Sequence, residues 1–214
     1  MSGTEPPGLD RLRLTGTPFV PEVRLHLAED AIVWWARMEA EAGEGLAPPF
    51  WASAWAGGQG LARYVLDHPR VVAGRRVLDL ATGSGLVAIA AALAGAATVT
   101  ANDVDPYALA ATTLNAEVNG VTLLATGADL LDSDGGDAEL VLAGDVFYHR
   151  AMAARVLPFL HRVLARGGRA LIGDPGRPFL PRDQLRLLAS YEIPGVGTLE
   201  DAELPRVDIL EPLP

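Results

Sequence analysis

Two glycines and a set of carboxylates stand where chemistry could be done. Gly83 and Gly85 lie in Ala81-Thr82-Gly83-Ser84-Gly85, directly after the apolar run 77–80 and directly before an Ala/Leu/Ile-rich segment. That order reads as strand, tight turn, helix. The start of a helix leaves backbone N–H groups unpaired, and glycines without a Cβ let a ligand come close to the main chain. Asp103 follows Gly83 by twenty positions, past the second apolar run 97–101. There a carboxylate can accept hydrogen bonds from both hydroxyls of a ribose, so the implied ligand contains a nucleoside.

Residues 83–88, GSGLVA, satisfy the G-x-G-x-x-G/A dinucleotide pattern, which on its own fits NAD. Asp79 points elsewhere. A pyrophosphate needs the bare positive end of a helix, whereas Asp79 sets an anion at the end of the first strand, beside the turn. An anion suits a cation, and S-adenosylmethionine (SAM) carries a sulfonium and an ammonium. Asp79 has a second available role as a cap of the turn, and the two roles are compatible.

Four more positions belong to the same end of the expected sheet. After the strand 140–143, Asp145 and Tyr148 place an acid and an aromatic hydroxyl three positions apart, where strands one and four diverge and ligands meet. This is the candidate reacting end. Asp129, after the third strand 121–125, is placed to accept from an adenine amine, although Asp is also an ordinary loop former. Trp55, in the aromatic and glycine-rich segment 48–59, is expected to pack on the adenine or the sulfonium. Trp51 is expected to pack the N-terminal extension onto the sheet.

The elements that must position these groups follow from periodicity. Residues 1–17 read as a flexible N-terminus, and residues 18–214 as one domain with an N-terminal extension over 18–70. Within the extension, alternation at 23–27 predicts a strand, Asp30 caps a helix over 31–42, and another helix spans 60–68. Asp105-Pro106 starts a helix that Asn119-Gly120 stops. A helix over 151–164 is interrupted by Pro158, strand five spans 169–172, and a helix is expected at 182–190. The runs 191–196 and 207–210 form an antiparallel hairpin at the sheet edge.

Composition excludes several classes. The chain has 214 residues, a net charge of −10 and no lysine, so the footprint for a nucleic-acid backbone is missing and nucleic acid is not the expected partner. With no lysine it has no Walker A lysine, forms no Schiff base and cannot methylate itself on lysine. The absence of cysteine excludes thiolate catalysis and cysteine-ligated zinc, and four histidines without ligand spacing predict no metal. No apolar run spans a bilayer and the N-terminus lacks a signal-peptide pattern, so a soluble, cytoplasmic, monomeric protein is expected.

Together these segments resemble the class I SAM-dependent methyltransferases, in VLDLATGSG and the acid of NDVD. More narrowly, the chain is similar to the seven-β-strand lysine methyltransferases, whose D-x-x-Y/F motif after strand four is matched by Asp145 to Tyr148. Within these it resembles the family that methylates lysines of the electron transfer flavoprotein β subunit, in PEVRLHL, WW, PFWASAWAGGQ, GDVFY and IGDPGRP. The resemblance implies an α/β, Rossmann-like class I fold, with a seven-stranded sheet ordered 3-2-1-4-5-7-6 and flanked by helices. It implies SAM as donor, bound by Trp55, Asp79, Gly83, Gly85, Asp103 and Asp129, and an exposed lysine of a protein as acceptor. Asp145 then receives the incoming ammonium, while Phe147 and Tyr148 wall its alkyl chain. A small nicotinamide-like amine is the alternative acceptor, and an NAD-binding oxidoreductase the alternative reaction.

Overall fold

The alternation that predicts a strand near residue 23 is resolved by a partner. In the computed structural model, which describes residues 11–43, 45–193 and 206–213, β1 (Arg13–Thr17) pairs antiparallel with β2 (Val20–Leu27). The sequence pattern gives no element before residue 18, so β1 corrects the lead-in from Arg13 onward. Its order comes from the backbone ladder rather than from its own exposed side chains. Helix α1 (Ala31–Ala42) starts as expected: Asp30 Oδ1 accepts from the N–H groups of Ile32 at 2.9 Å and Val33 at 3.0 Å.

Next comes α2 (Ala56–Asp67), which begins four residues before the expected start at 60. The parallel strands and their crossovers follow: β3 (Arg76–Leu80), α3 (Leu86–Leu93), β4 (Thr98–Asn102), α4 (Pro106–Val118), β5 (Leu124–Thr126), β6 (Leu140–Gly144), α5 (Arg150–Ala165) and β7 (Arg169–Asp174). Two antiparallel strands, β8 (Leu185–Glu192) and β9 (Arg206–Pro212), complete a seven-stranded sheet. Its order is β5-β4-β3-β6-β7-β9-β8, which counted within the sheet is 3-2-1-4-5-7-6, as the resemblance implies.

Alternation along the strands sorts the core into two layers. On β6, Leu140 and Leu142 face α2 and α3 residues such as Leu61, Val65 and Ile89, while Val141 and Ala143 face Val156, Phe159 and Leu160 of α5. Both faces are covered, so the strands are almost continuously apolar. The polar groups of the site are therefore confined to the carboxyl ends of the strands.

Three local expectations fail for identifiable reasons. Residues 182–190 form a short 3-10 turn, Arg182–Gln184, and then β8, because the long antiparallel ladder with β9 outweighs the helix-forming character of Leu, Arg and Ala. The edge hairpin exists, but its first arm begins at Leu185; residues 194–196 of the expected arm lie outside the described ones. Pro158 does not interrupt α5, which runs from Arg150 through Ala165. Among the described residues no helix is long and apolar enough to cross a membrane.

Candidate active site

The turn after β3 is held from below and from the side. Asp79, 1% exposed, accepts at Oδ2 from the Thr82 hydroxyl at 2.6 Å and from the Ala88 N–H of α3 at 3.0 Å. The capping role read from the sequence is observed, since Asp79 ties the turn; it also lines a small cavity with Ser84 and Asp145. From α4, Thr112 Oγ1 donates to the Gly83 carbonyl at 3.1 Å and Asn115 Nδ2 to the Ser84 carbonyl at 2.8 Å. Gly83 and Gly85 have φ of +55° and +84°, where a Cβ is strained. Gly85 lines neither cavity; it serves the turn, packed so closely on Thr112 that a Cβ would lie 3.0 Å from its Cγ2.

Asp103 lies across the turn at the tip of β4. Its Oδ2 accepts from the Gly83 N–H and its Oδ1 from the Asp105 N–H, both at 3.0 Å. Each oxygen retains a further lone pair for a ligand hydroxyl. Burial pushes the Asp79 carboxyl up to about 7 against its two hydrogen bonds, and raises Asp103 in the same direction. A cationic ligand would recover the energy of ionising them. Sequence reasoning missed Asn102, whose Nδ2 donates to the carbonyls of Thr126 at 3.0 Å and Ala128 at 2.8 Å and so fixes the next loop.

The second half of the site is assembled from distant segments. Asp145, 8% exposed and with φ of +55°, directly follows β6. Asp tolerates this left-handed conformation better than most residues. Its Oδ2 accepts from the Gly58 N–H in the first turn of α2 at 3.1 Å. Its Oδ1 accepts from Arg177, at 2.9 Å from Nε and 2.8 Å from Nη2. The carboxylate expected to await an ammonium ion is therefore already paired. Burial raises its carboxyl to about 6, with the Arg177 charge opposing. The backbones meet here without side chains: a Cβ on Gly57 would lie 2.3 Å from the Gly173 carbonyl oxygen and 2.5 Å from Asp145 Oδ2.

Arg177 is in turn positioned by the loop after β7. Asp174 Oδ1, at the buried end of that strand, accepts from the N–H groups of Gly176 at 2.6 Å and Arg177 at 2.7 Å. The guanidinium carbon lies 5.5 Å from the centre of the Trp55 ring. Trp55 Nε1 donates to the Phe50 carbonyl at 2.6 Å, and the Phe50 ring packs against Trp55 at 5.9 Å and Tyr148 at 5.3 Å. Phe50, Trp55 and Tyr148 thus form an aromatic collar. Burial, with a smaller contribution from the Asp103 charge, raises the Tyr148 phenol and keeps it protonated at neutral pH.

Phe147 is a correction. It is fully buried among Phe159, Leu160 and Ile172, and Phe50 takes the wall position assigned to it. Burying a phenylalanine is worth about 1.5–3 kcal/mol, which turning the ring into the cavity would forfeit. Asp129 reaches the cavity rim as expected, but its carboxylate is held by Arg155 at 2.8 Å and by the Leu131 N–H at 3.1 Å. Arg155 keeps it below the usual carboxylate range. Trp51 anchors the N-terminal extension, but on α4 rather than on the sheet: it stacks on Tyr107, lies edge-on to Trp34 and also borders the cavity. Arg177 and Phe50 were missed. Both lie in quoted segments, yet nothing local to either identifies its partners.

A single cavity of about 430 Å³ joins the two halves, from Gly83 and Asp103 to Asp145, Tyr148 and Arg177. Its size suits one nucleoside-sized ligand. Gly83 faces it without a side chain and Asp103 presents free acceptors for hydroxyls, while Asp79 lines the smaller neighbouring cavity beneath the turn. These residues fit SAM.

Comparison with known proteins agrees. Residues 63–144 match the family model of the ribosomal protein L11 methyltransferase (PrmA). The electron transfer flavoprotein β subunit lysine methyltransferase of Rattus norvegicus is 41% identical over 181 residues, covering 81% of this chain and 70% of that protein. A homolog of that enzyme in Caenorhabditis elegans is 31% identical, covering 82% of each. Among solved structures, the SAM-bound magnesium protoporphyrin IX methyltransferase of Synechocystis PCC 6803 superposes with a TM-score of 0.53 at 18% identity, covering 83% of this chain and 89% of that one, which supports the fold. With a glycine turn, an acid at the tip of the second sheet strand and a relative alike over most of both lengths, the chain belongs to the family of electron transfer flavoprotein β subunit lysine methyltransferases, class I enzymes whose methyl donor is SAM.

Proposed function

We propose that this enzyme methylates a lysine side chain of a folded protein, with the electron transfer flavoprotein β subunit as the acceptor. The observation that carries the reading is the collar of Phe50, Trp55 and Tyr148 around the buried Asp145, next to the donor turn. Such a collar accommodates a long alkyl chain and excludes water from its amine. The relatives named above support the acceptor by their own substrate.

When bound, SAM supplies an electrophilic methyl group on a positively charged sulfur. The residues of this chain have only to align a neutral amine with it, since transfer is an in-line displacement helped mainly by orientation. Nitrogen–carbon bond formation accompanies carbon–sulfur cleavage, and the electron pair stays on sulfur. Free lysine has a pKa of about 10.4, so its proton is lost to water before attack. Asp145 then accepts a hydrogen bond from the neutral amine and turns its lone pair toward the donor. Tyr148 and Phe50 flank the alkyl chain. One chain supplies every group used, so the enzyme is taken to act as a monomer.

The test is incubation with radiolabelled SAM and either the recombinant flavoprotein subunit or a small amine such as nicotinamide. Label should enter the protein and not the small amine; the reverse outcome refutes the reading. Asp145→Ala should lower turnover by about a hundredfold, the loss expected when a reacting amine is no longer held in line, and leave SAM affinity within about threefold.

A further inference from the structure

The arginine on Asp145 requires an explanation that the proposed function does not supply. A buried carboxylate beside a lysine pocket would hold the incoming side chain as an ammonium ion, because an opposite charge favours the charged form. An ammonium ion has no lone pair and cannot accept a methyl group. Resting on the protein-lysine reading above, we propose that Arg177 is a positioning residue that cancels the charge of Asp145, so that the cavity holds the acceptor amine in its neutral, nucleophilic form.

Three features of the site support this role. Both Nε and Nη2 of Arg177 reach the same oxygen, Oδ1, leaving Oδ2 with the Gly58 N–H and a lone pair for an amine. The guanidinium is well buried, with 12% of its side chain exposed, so the pair is weakly screened by solvent. Its placement is also built in: the wholly buried Asp174 caps the loop through the Gly176 and Arg177 N–H groups, and Trp55 supports the guanidinium from the other side. Among the described residues, the charged or titratable groups around this pair come from several elements. Asp145 follows β6, Asp174 ends β7, Asp79 and Asp103 end β3 and β4, and Tyr148 closes the collar. Arg182 approaches Gly176 and pairs with Asp208, while Asp129 and Arg155 pair at the far rim. The acids around the donor face a cation in the working complex. Asp145 is the acid that faces the acceptor.

The pH dependence of kcat, measured with saturating SAM and saturating flavoprotein subunit, reports the bound amine. In Arg177→Gln the limb that rises with pH should move up by about one unit or more, so kcat at pH 7.5 falls about tenfold or more while rates converge at high pH. Arg177→Lys, which keeps the charge, should restore most of the wild-type profile. A loss of the same size at every pH would overturn the proposal in favour of a structural role. An unshifted profile with a lower KM would overturn it in favour of a placeholder that the ammonium displaces. If Arg177→Gln does not fold, nuclear magnetic resonance titration of an acceptor lysine bound to the wild-type enzyme gives the answer: its pKa should lie below the free value of about 10.4, and a value at or above it refutes the proposal. A wild-type enzyme that methylates no protein at any pH would sink the acceptor assignment as well, whereas a pH-independent loss in Arg177→Gln would sink the role of Arg177 alone.

Discussion

The two ends of the cavity are built on different plans. The donor end is made of backbone and near neighbours: β3, its glycine turn, α3 and the tip of β4 fall within residues 76–103. The acceptor end collects Phe50, Trp55, Gly58, Asp145, Tyr148 and Arg177 from three separate stretches, and contacts such as Asp145 with Arg177 span 32 positions. Local geometry dictates the first, and tertiary packing the second. The donor end should therefore tolerate changes in α2 and in the loop after β7, while the acceptor end should fail when the packing of α2 on the sheet is disturbed.

The largest expected effect tests that difference. Gly57→Ala puts a Cβ 2.3 Å from the Gly173 carbonyl oxygen, a clash with rigid backbone. Overpacking of this severity costs about 3 kcal/mol or more. Calorimetry should show a Tm lower by about 6–12 °C. In the surviving folded fraction, kcat should fall further than SAM affinity. An equal loss of both would mean that the two ends are not separable.

Asp103→Ala probes the opposite end. It removes the acceptor for the Gly83 N–H and for the ribose, and a hydrogen bond to a charged group is worth about 1.5–3 kcal/mol. Titration calorimetry should show SAM binding about 10- to 100-fold weaker. The dependence of turnover on pH should be unchanged once donor is saturating.

The smallest expected effect is a stability of the free protein that falls with pH while the increment added by SAM rises. Asp79 at about 7 and Asp145 at about 6 are raised above their unfolded values, as is Asp103. A raised carboxyl contributes stability that is complete below its unfolded pKa, about 3.9, and is lost as pH rises through the folded one. The Tm of the free protein should therefore fall between about pH 4 and 7. The carboxyls that are lowered, Glu22, Asp129, Asp208 and Glu211, act below this window. A cationic donor prefers the ionised acids, so the Tm increment caused by SAM should grow over the same interval, with affinity weakening by at most about tenfold per unit below pH 7. A SAM increment that is flat with pH would separate Asp79 from donor binding.

The same contrast explains what could be read from the chain. The strand, turn, helix and second-strand acid form one contiguous pattern, so the positions of Asp79, Gly83 and Asp103 were legible, whereas the order of the sheet came from the family resemblance. Periodicity located β6 and hence Asp145, but it could not assign faces after the strand ended, and Phe147 turned into the core while Tyr148 turned out. Asp129 was read as a free acceptor after the third strand; its partner Arg155, 26 positions away on α5, was not foreseeable. β8 was misread for the same reason, since Leu185–Glu192 is a strand only because β9 lies beside it.

A side-chain relay links the N-terminal hairpin to the donor turn. The His26 N–H donates to Asn115 Oδ1 at 2.6 Å, Asn115 Nδ2 holds the Ser84 carbonyl, and Asn119, one helical turn on, exchanges hydrogen bonds with the backbone of Arg24. The outer edge of β2 is thereby clasped by two amides of α4. The ribbon thus braces the turn from behind, through Asn115, without contributing a side chain to the cavity itself.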